Sequence, residues 1–280
     1  MCIRDRNLFD VMLSGGILDD FNRTFKVQNR VIKINGKNLK DVKVLARMQT
    51  ERYFHQMIYC QGEVYVIGGC GKTRQKTLLV EKYSLTKNKW QKITYVEDAQ
   101  KGFSVCAFMS GIYLLGGLNE RSEVIDSCMC FNTKNNYWTT ITEMNIARVK
   151  AACTVFDGKI VISGGLNQDR RRSNTVESYD YFANTWSSMP NMVKGRHSHC
   201  LVTNKNKMFV CGYGEVLEVF DSTNNKFDKL NLSYMDTEGF AVSGLFSMGN
   251  KVYSLSQKKL SSYDVETVSY THLRAHETAY

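Results

Sequence analysis

Arg148–Met189 reads RVKAACTVFDGKIVISGGLNQDRRRSNTVESYDYFANTWSSM. Its landmarks are Arg148, an alternating run that ends in Gly164-Gly165, then Tyr179, and Trp186 seven residues later. The same landmarks recur along the chain. Gly68-Gly69 and Gly116-Gly117 lie 96 and 48 residues before Gly164-Gly165. Trp90, Trp138 and Trp186 are spaced by 48, and Arg52, Arg148 and Arg196 sit at multiples of 48. Three independent landmarks that keep one period define a repeat. A period of about 50 residues holding four short strands predicts one propeller blade per repeat.

Worked outward, the unit from Arg52 has VYVIGG as its second strand and VEKYSLTKNKW as its third strand and following turn, with Tyr83 and Trp90. Gln61-Gly62 reads as the turn between its first two strands, a hairpin signal between alternating runs. The next unit has IYLLGG, Phe131 in the tyrosine place and Trp138, with Gln100 where the period puts the arginine. The unit from Arg196 degrades in order: Gly212-Tyr213 stands for the glycine pair, Phe220 for the tyrosine and Phe227 for the tryptophan. Second-strand ends fall at Gly15, Gly68, Gly116, Gly164, Gly212 and Ser256, which predicts six blades.

The termini read differently. Met1–Arg6 reverse-translates to a string whose reverse complement encodes Val268–His272 in frame. Such a pair is expected from a sequencing adapter read through at both ends, and is set aside from fold reasoning. The expected layout is adapter translation at 1–6 and 267–280 around a propeller at 7–266. Its blades fall at about 7–48, 49–97, 98–143, 144–190, 191–233 and 234–266. The fold class is all-β, a six-bladed propeller incomplete at both ends. The first blade would lack its first strand, and the last would stop after its third. Open strand edges of that kind favour aggregation.

Composition narrows the function classes. The chain has 37 Lys+Arg against 27 Asp+Glu, a net charge of +10, or about +9 without the terminal segments. This excess favours acidic partners, yet its spread along the chain is not a nucleic-acid signature. Nine cysteines at unrelated repeat positions suit buried free thiols in a reducing compartment rather than a disulfide framework. Asn22-Arg-Thr24 and Asn231-Leu-Ser233 fit the short glycosylation pattern. No run approaches the ~20 apolar residues of a membrane span. An intracellular, cytoplasmic protein without membrane or nucleic-acid partners is expected.

The arginine, the strand closing on two glycines, the tyrosine and the following tryptophan resemble the kelch repeat. The resemblance covers nearly the whole chain and implies a kelch-type β-propeller. Structural repeat residues are then Gly68, Gly69, Tyr83, Trp90, Gly116, Gly117, Phe131, Trp138, Gly164, Gly165, Tyr179, Trp186, Gly212, Phe220 and Phe227. The aromatics can fill the wedge between blades, and the glycines permit close backbone approach. The glycine pairs end strands and open no helix, so they are no phosphate loop.

Family members use the loops after the glycine pair and those leading into each first strand. Here the former hold Lys72, Arg74, Lys76, Arg121, Arg170, Arg171 and Arg172, and the latter Arg52, Lys101, Arg148, Lys150, Lys194 and Arg196. Converging on one rim, they would form a basic basin for carboxylates or phosphates. Arg52, Arg148 and Arg196 have a second reading, as braces of the loop. His55 and His199, each three residues after the repeat arginine, read as strand-start structural residues.

The resemblance implies a protein-interaction module, specifically the substrate-recognition propeller of a BTB–BACK–kelch adaptor. Its missing BTB domain would recruit a cullin-based ubiquitin ligase. An actin-binding cytoskeletal scaffold is the alternative. Catalytic kelch-like propellers need His, Tyr or Cys converging on a pocket. With the terminal segments set aside only His55, His197 and His199 remain, so no enzyme, cofactor or metal centre is expected. Cys128-Met-Cys130 lacks further ligands nearby and reads as packing.

Overall fold

Asp157-Gly158 turns the chain in two residues, both at positive φ (47° and 69°), and the strands on either side pair antiparallel. Turns with two left-handed residues match the twist of the strands that they join, which is why Gly recurs there. The computed structural model describes residues 2–4, 10–19, 25–35, 41–71, 77–96, 101–212, 215–230, 242–256, 260–267 and 269–273. Among them lie six four-stranded antiparallel sheets, each a meander of consecutive strands.

The first sheet is β1 (Cys2–Arg4), β2 (Asp10–Asp19), β3 (Phe25–Asn35) and β4 (Val42–Leu45). The second is β5 (Gln56–Cys60), β6 (Glu63–Ile67), β7 (Leu79–Ser84) and β8 (Lys89–Tyr95). The third is β9 (Ser104–Phe108), β10 (Gly111–Leu118), β11 (Val124–Asn132) and β12 (Tyr137–Ile141). The fourth is β13 (Ala152–Phe156), β14 (Lys159–Ser163), β15 (Val176–Asp180) and β16 (Thr185–Met189). The fifth is β17 (Cys200–Asn204), β18 (Lys207–Gly212), β19 (Glu215–Asp221) and β20 (Lys226–Lys229). The sixth is β21 (Val242–Met248), β22 (Lys251–Ser256), β23 (Leu260–Asp264) and β24 (Ser269–Leu273). Two compact units divide them, Met1–Ile141 and Thr142–Tyr280.

In the first unit, Val31, Met48, Met57, Val64, Val66, Tyr83 and Trp90 form one buried cluster. Tyr65, Ile67, Val80, Ile112, Leu114 and Phe131 belong to another. In the second, Phe156, Val161, Met192, Met208, Val210, Phe220 and Phe227 pack together, as do Phe209, Cys211, Leu217, Val252 and Tyr263. The second strands of the second to fifth sheets are buried almost end to end, as in IVIS of β14. Sheets covered on both faces need such continuous apolar runs rather than strict alternation.

The repeat aromatics are cross-strand partners. Tyr83 faces Trp90, Phe131 faces Trp138, Tyr179 faces Trp186 and Phe220 faces Phe227. Their ring centroids are 4.9–5.1 Å apart, the range in which tilted ring pairs attract. Each indole N–H donates to a distant carbonyl: Trp90 to Ala46 at 2.8 Å, Trp138 to Tyr95 at 3.0 Å and Trp186 to Thr142 at 2.9 Å.

The glycine pair is required twice over. Gly164 and Gly165 have φ of 62° and 95°, and a Cβ on Gly165 would stand 2.9 Å from the Val149 carbonyl oxygen. Gly69 and Gly117 meet the carbonyl oxygens of Tyr53 and Lys101 in the same way, at 2.8 and 2.9 Å. In the second, third and fourth sheets the loop before the first strand therefore lies directly on the end of the second strand.

The expectation that the first sheet lacks its first strand and the sixth stops after its third is corrected here. Cys2–Arg4 pairs with β2, Ile3 opposite Met12, and Ser269–Leu273 pairs with β23, Tyr270 opposite Tyr263. Neither sheet is thus short of a strand. An exposed edge offers a row of backbone donors and acceptors, and an extended segment of many sequences can satisfy them.

Candidate functional site

Arg148 follows Ile146 into the loop before β13, and its side chain turns beneath the glycine pair. Its Nη1 donates to the carbonyls of Gly164 at 2.7 Å and Thr175 at 3.2 Å, and its Nη2 to Glu177. Arg52 repeats this on Gly68 at 2.9 Å, Leu79 at 2.8 Å and Glu81 at 2.5 Å. Arg196 pairs with Glu218 at 2.5 Å. All three arginines are 0–1% exposed. The expectation that Arg52, Arg148 and Arg196 contact a partner is therefore corrected: they are the brace of the repeat, and a buried guanidinium must take its acceptors from within the protein. Burial draws the Arg52 and Arg148 pKa down, and the facing carboxylates draw it back up.

Glu81, Glu177 and Glu218 are the residues that sequence reasoning missed. Each carboxylate also accepts a backbone N–H from the loop before its sheet. Gln49 donates to Glu81 at 2.8 Å, Asn145 to Glu177 at 2.8 Å and Val193 to Glu218 at 2.7 Å. The signal was present: each glutamate lies two residues before the repeat tyrosine or phenylalanine. In the third repeat that place holds Met129 and the arginine place holds Gln100, so both partners of the brace are lost together.

The other basic residues of these loops lie at the surface where they are among the described residues. Lys101, Lys150, Arg170, Arg171, Arg172, Lys194 and Arg121 are exposed. Lys72, Arg74 and Lys76 lie outside the described residues. Asn119 and Asn167, the same place in two repeats, shape the loops that carry them. Arg171 N–H donates to Asn167 Oδ1 at 2.8 Å, and Glu123 N–H to Asn119 Oδ1 at 3.0 Å. Each tip has a left-handed residue, Ser122 or Arg170, with φ of 63° and 58°. Asparagine oxygens that accept from the backbone a few residues on are a usual way to close such turns.

In the unit Thr142–Tyr280, three segments are laced together by their backbones. Arg196 N–H donates to Ser173 at 3.0 Å, and Ser198 N–H to Lys150 at 2.8 Å. Gly195 lies so close to the 166–175 loop that a Cβ there would stand 2.7 Å from the Arg172 carbonyl. Lys150, Arg172 and His197 are thereby gathered. Partial burial and then Arg172 and Lys150 hold the His197 pKa below its ordinary value. Lys150 and Ser198 occupy the place two residues after the brace arginine, as Phe54 does in the first unit. All three have positive φ, between 49° and 57°, and all three side chains are exposed.

His55 and His199 are buried at the starts of their first strands, as structural residues would be. His199 Nε2 lies 2.9 Å from Ser163 Oγ, both shut from solvent, and burial with Arg196 nearby pushes the imidazole down to about 3. A serine–histidine contact without access to solvent cannot meet a substrate. Burial likewise pushes Cys200 up to about 11 and Cys211 up to about 12, which keeps both as thiols. Among the described residues no three His, Cys, Asp or Glu side chains are arranged to hold a metal ion, and no helix is long and apolar enough to cross a membrane.

Six meander sheets, of which the second and fourth carry both a braced glycine pair and an aromatic cross-strand pair, define an all-β propeller of repeat type. The family profile of the KLHDC2/KLHL20/DRC7 Kelch-repeats domain matches residues 54–256, and the chain belongs to this kelch-repeat family. Among solved structures it is similar to one described as "Structure of YjhT". That likeness has 12% identity and a TM-score of 0.66, over 79% of this chain and 81% of the other. At that identity it speaks for the fold alone. No curated protein matches the chain.

Proposed function

We propose that this protein is an interaction module that holds an acidic protein segment on the loops beside its glycine pairs. The observation that carries this reading is a division of labour among the arginines. Those of the repeat are buried in the brace, whereas Arg170, Arg171 and Arg172 extend from a shaped loop into solvent beside Lys150 and Lys194. Exposed arginines suit carboxylates and phosphates, which their planar forks can grip in pairs.

Within that class, the finer reading is the substrate-recognition propeller, six-bladed, of a BTB–BACK–kelch adaptor that serves a cullin-based ubiquitin ligase. Its support is the kelch repeat itself. The eight described cysteines are all free thiols, which suits the reducing cytoplasm in which such adaptors would work. An actin scaffold would use the same loops, and co-sedimentation with actin filaments separates the two: a pellet free of this protein supports the adaptor, and saturable co-sedimentation would overturn it.

Binding is tested by fluorescence anisotropy with a labelled peptide of alternating Glu and Gly. The expected result is saturable binding that weakens with salt and falls at least tenfold when Arg170, Arg171 and Arg172 are all replaced by Glu. Equal binding by that variant and the parent would overturn the assignment of the loop.

A further inference from the structure

The arginine loop of the fourth sheet carries a hydroxyl at its foot. Asp169-Arg-Arg-Arg-Ser-Asn174 puts arginines two and three residues before Ser173, and no other serine or threonine of the chain has arginine at both places. Arg170 and Arg171 are exposed, and Ser173 is half-buried. The Ser173 hydroxyl is engaged close by: its Oγ lies 2.7 Å from Thr175 Oγ1 and accepts the Thr175 N–H at 3.1 Å. Two backbone bonds hold the residue, its N–H donating to Gly165 at 2.9 Å and its carbonyl accepting from Arg196 at 3.0 Å. Lifting 170–174 away breaks these few bonds of a surface loop, and such local openings cost far less than global unfolding.

We propose that Ser173 is a phosphorylation site for an arginine-directed protein kinase, and that its phosphate switches off binding of the acidic partner. The regulatory half rests on the reading above. Such kinases select by charge pattern, with carboxylates in the substrate cleft that take guanidinium groups shortly before the acceptor hydroxyl. In the transfer, Ser173 Oγ bonds to the γ-phosphorus of MgATP, the bond from that phosphorus to the β–γ bridging oxygen breaks, and ADP leaves. The hydroxyl proton passes to the catalytic carboxylate of the kinase. Residues 166–174 hold three arginines and Asp169, a formal charge of +2. A phosphoserine adds about two negative charges, which brings the loop close to neutral. An incoming carboxylate then meets a dianion among the arginines, and attraction gives way to repulsion.

The folded protein is incubated with MgATP and the catalytic subunit of cyclic AMP-dependent protein kinase, and the modified residue is located by peptide mass spectrometry. Phosphate is expected on Ser173, and Arg170→Gln together with Arg171→Gln should slow the transfer at least tenfold. No phosphate on Ser173, or an equal rate in that double variant, overturns the site. Against the labelled Glu–Gly peptide, the phosphorylated protein is expected to bind at least tenfold more weakly than the unmodified one. Equal affinities overturn the switch. A protein that takes phosphate on Ser173 but binds no acidic peptide in its unmodified form overturns the acidic-partner reading instead, and leaves the modification site standing.

Discussion

A guanidinium sealed from water must find every acceptor inside the protein, and Arg148 finds them in three carbonyls, the Thr175 hydroxyl and the Glu177 carboxylate. Removing one partner strands the other. Glu177→Gln is expected to lower stability by about 3–5 kcal/mol, since it leaves a buried cation uncompensated. The third repeat shows an alternative, with Gln100 and Met129 in the two places. The double variant Arg148→Gln, Glu177→Met should therefore lose about 1–3 kcal/mol less than the two single changes summed. Urea unfolding of the four proteins measures the cycle, and strict additivity would show that the pair is not a unit. At this scale the sequence was half legible. The period located Arg52, Arg148 and Arg196, but a basic residue beside a loop reads alike whether it points outward or beneath the glycines. The glutamate two places before each aromatic was the missing clue, and only a partner with a carboxylate makes the inward reading affordable in free energy.

The second and fourth sheets are tied by their third-to-fourth strand turns as well as by their ladders. Asn88 and Asn184, both left-handed, accept from the tyrosine hydroxyls of Tyr83 and Tyr179 at 2.7 and 2.8 Å. Asn88 Oδ1 also accepts from Ala46 N–H at 3.0 Å, while the Trp90 indole donates to the Ala46 carbonyl. One turn thus grips both polar groups of a residue more than forty positions away. Trp90→Phe keeps the ring contact with Tyr83 and deletes the indole donor, so a loss of about 1–3 kcal/mol is expected. Trp138→Phe should lose less, because Trp138 is only half-buried and water can replace the donor. Denaturant midpoints of the two variants decide this, and equal losses would contradict it. The fifth sheet is a natural precedent, with Phe227 against Phe220. The strand pattern was legible almost throughout, because alternation, turn residues and the glycine pair all kept one period. The outer strands β1 and β24 were not, since pairing at an edge is carried by backbone groups and leaves little trace in side-chain pattern.

For the whole molecule, the repeat divides its surface by function: turns between third and fourth strands hold the sheets, and loops beside the glycine pairs are free to vary. Comparison of equivalent places makes this plain. Two residues after the brace arginine, or after Gln100 in its place, stand Phe54, Gly102, Lys150 and Ser198, four unlike residues on one left-handed backbone. The fold thus fixes where a side chain is displayed, and the sequence chooses what is displayed. That choice is basic around the fourth sheet, and basic loops call for an acidic partner. Hydrogen–deuterium exchange with and without an acidic peptide tests this directly. The account predicts slowed exchange at 166–174 and 193–198, with no change at the turns 133–136 and 181–184. Protection confined to those turns, or spread evenly over the strands, would contradict it.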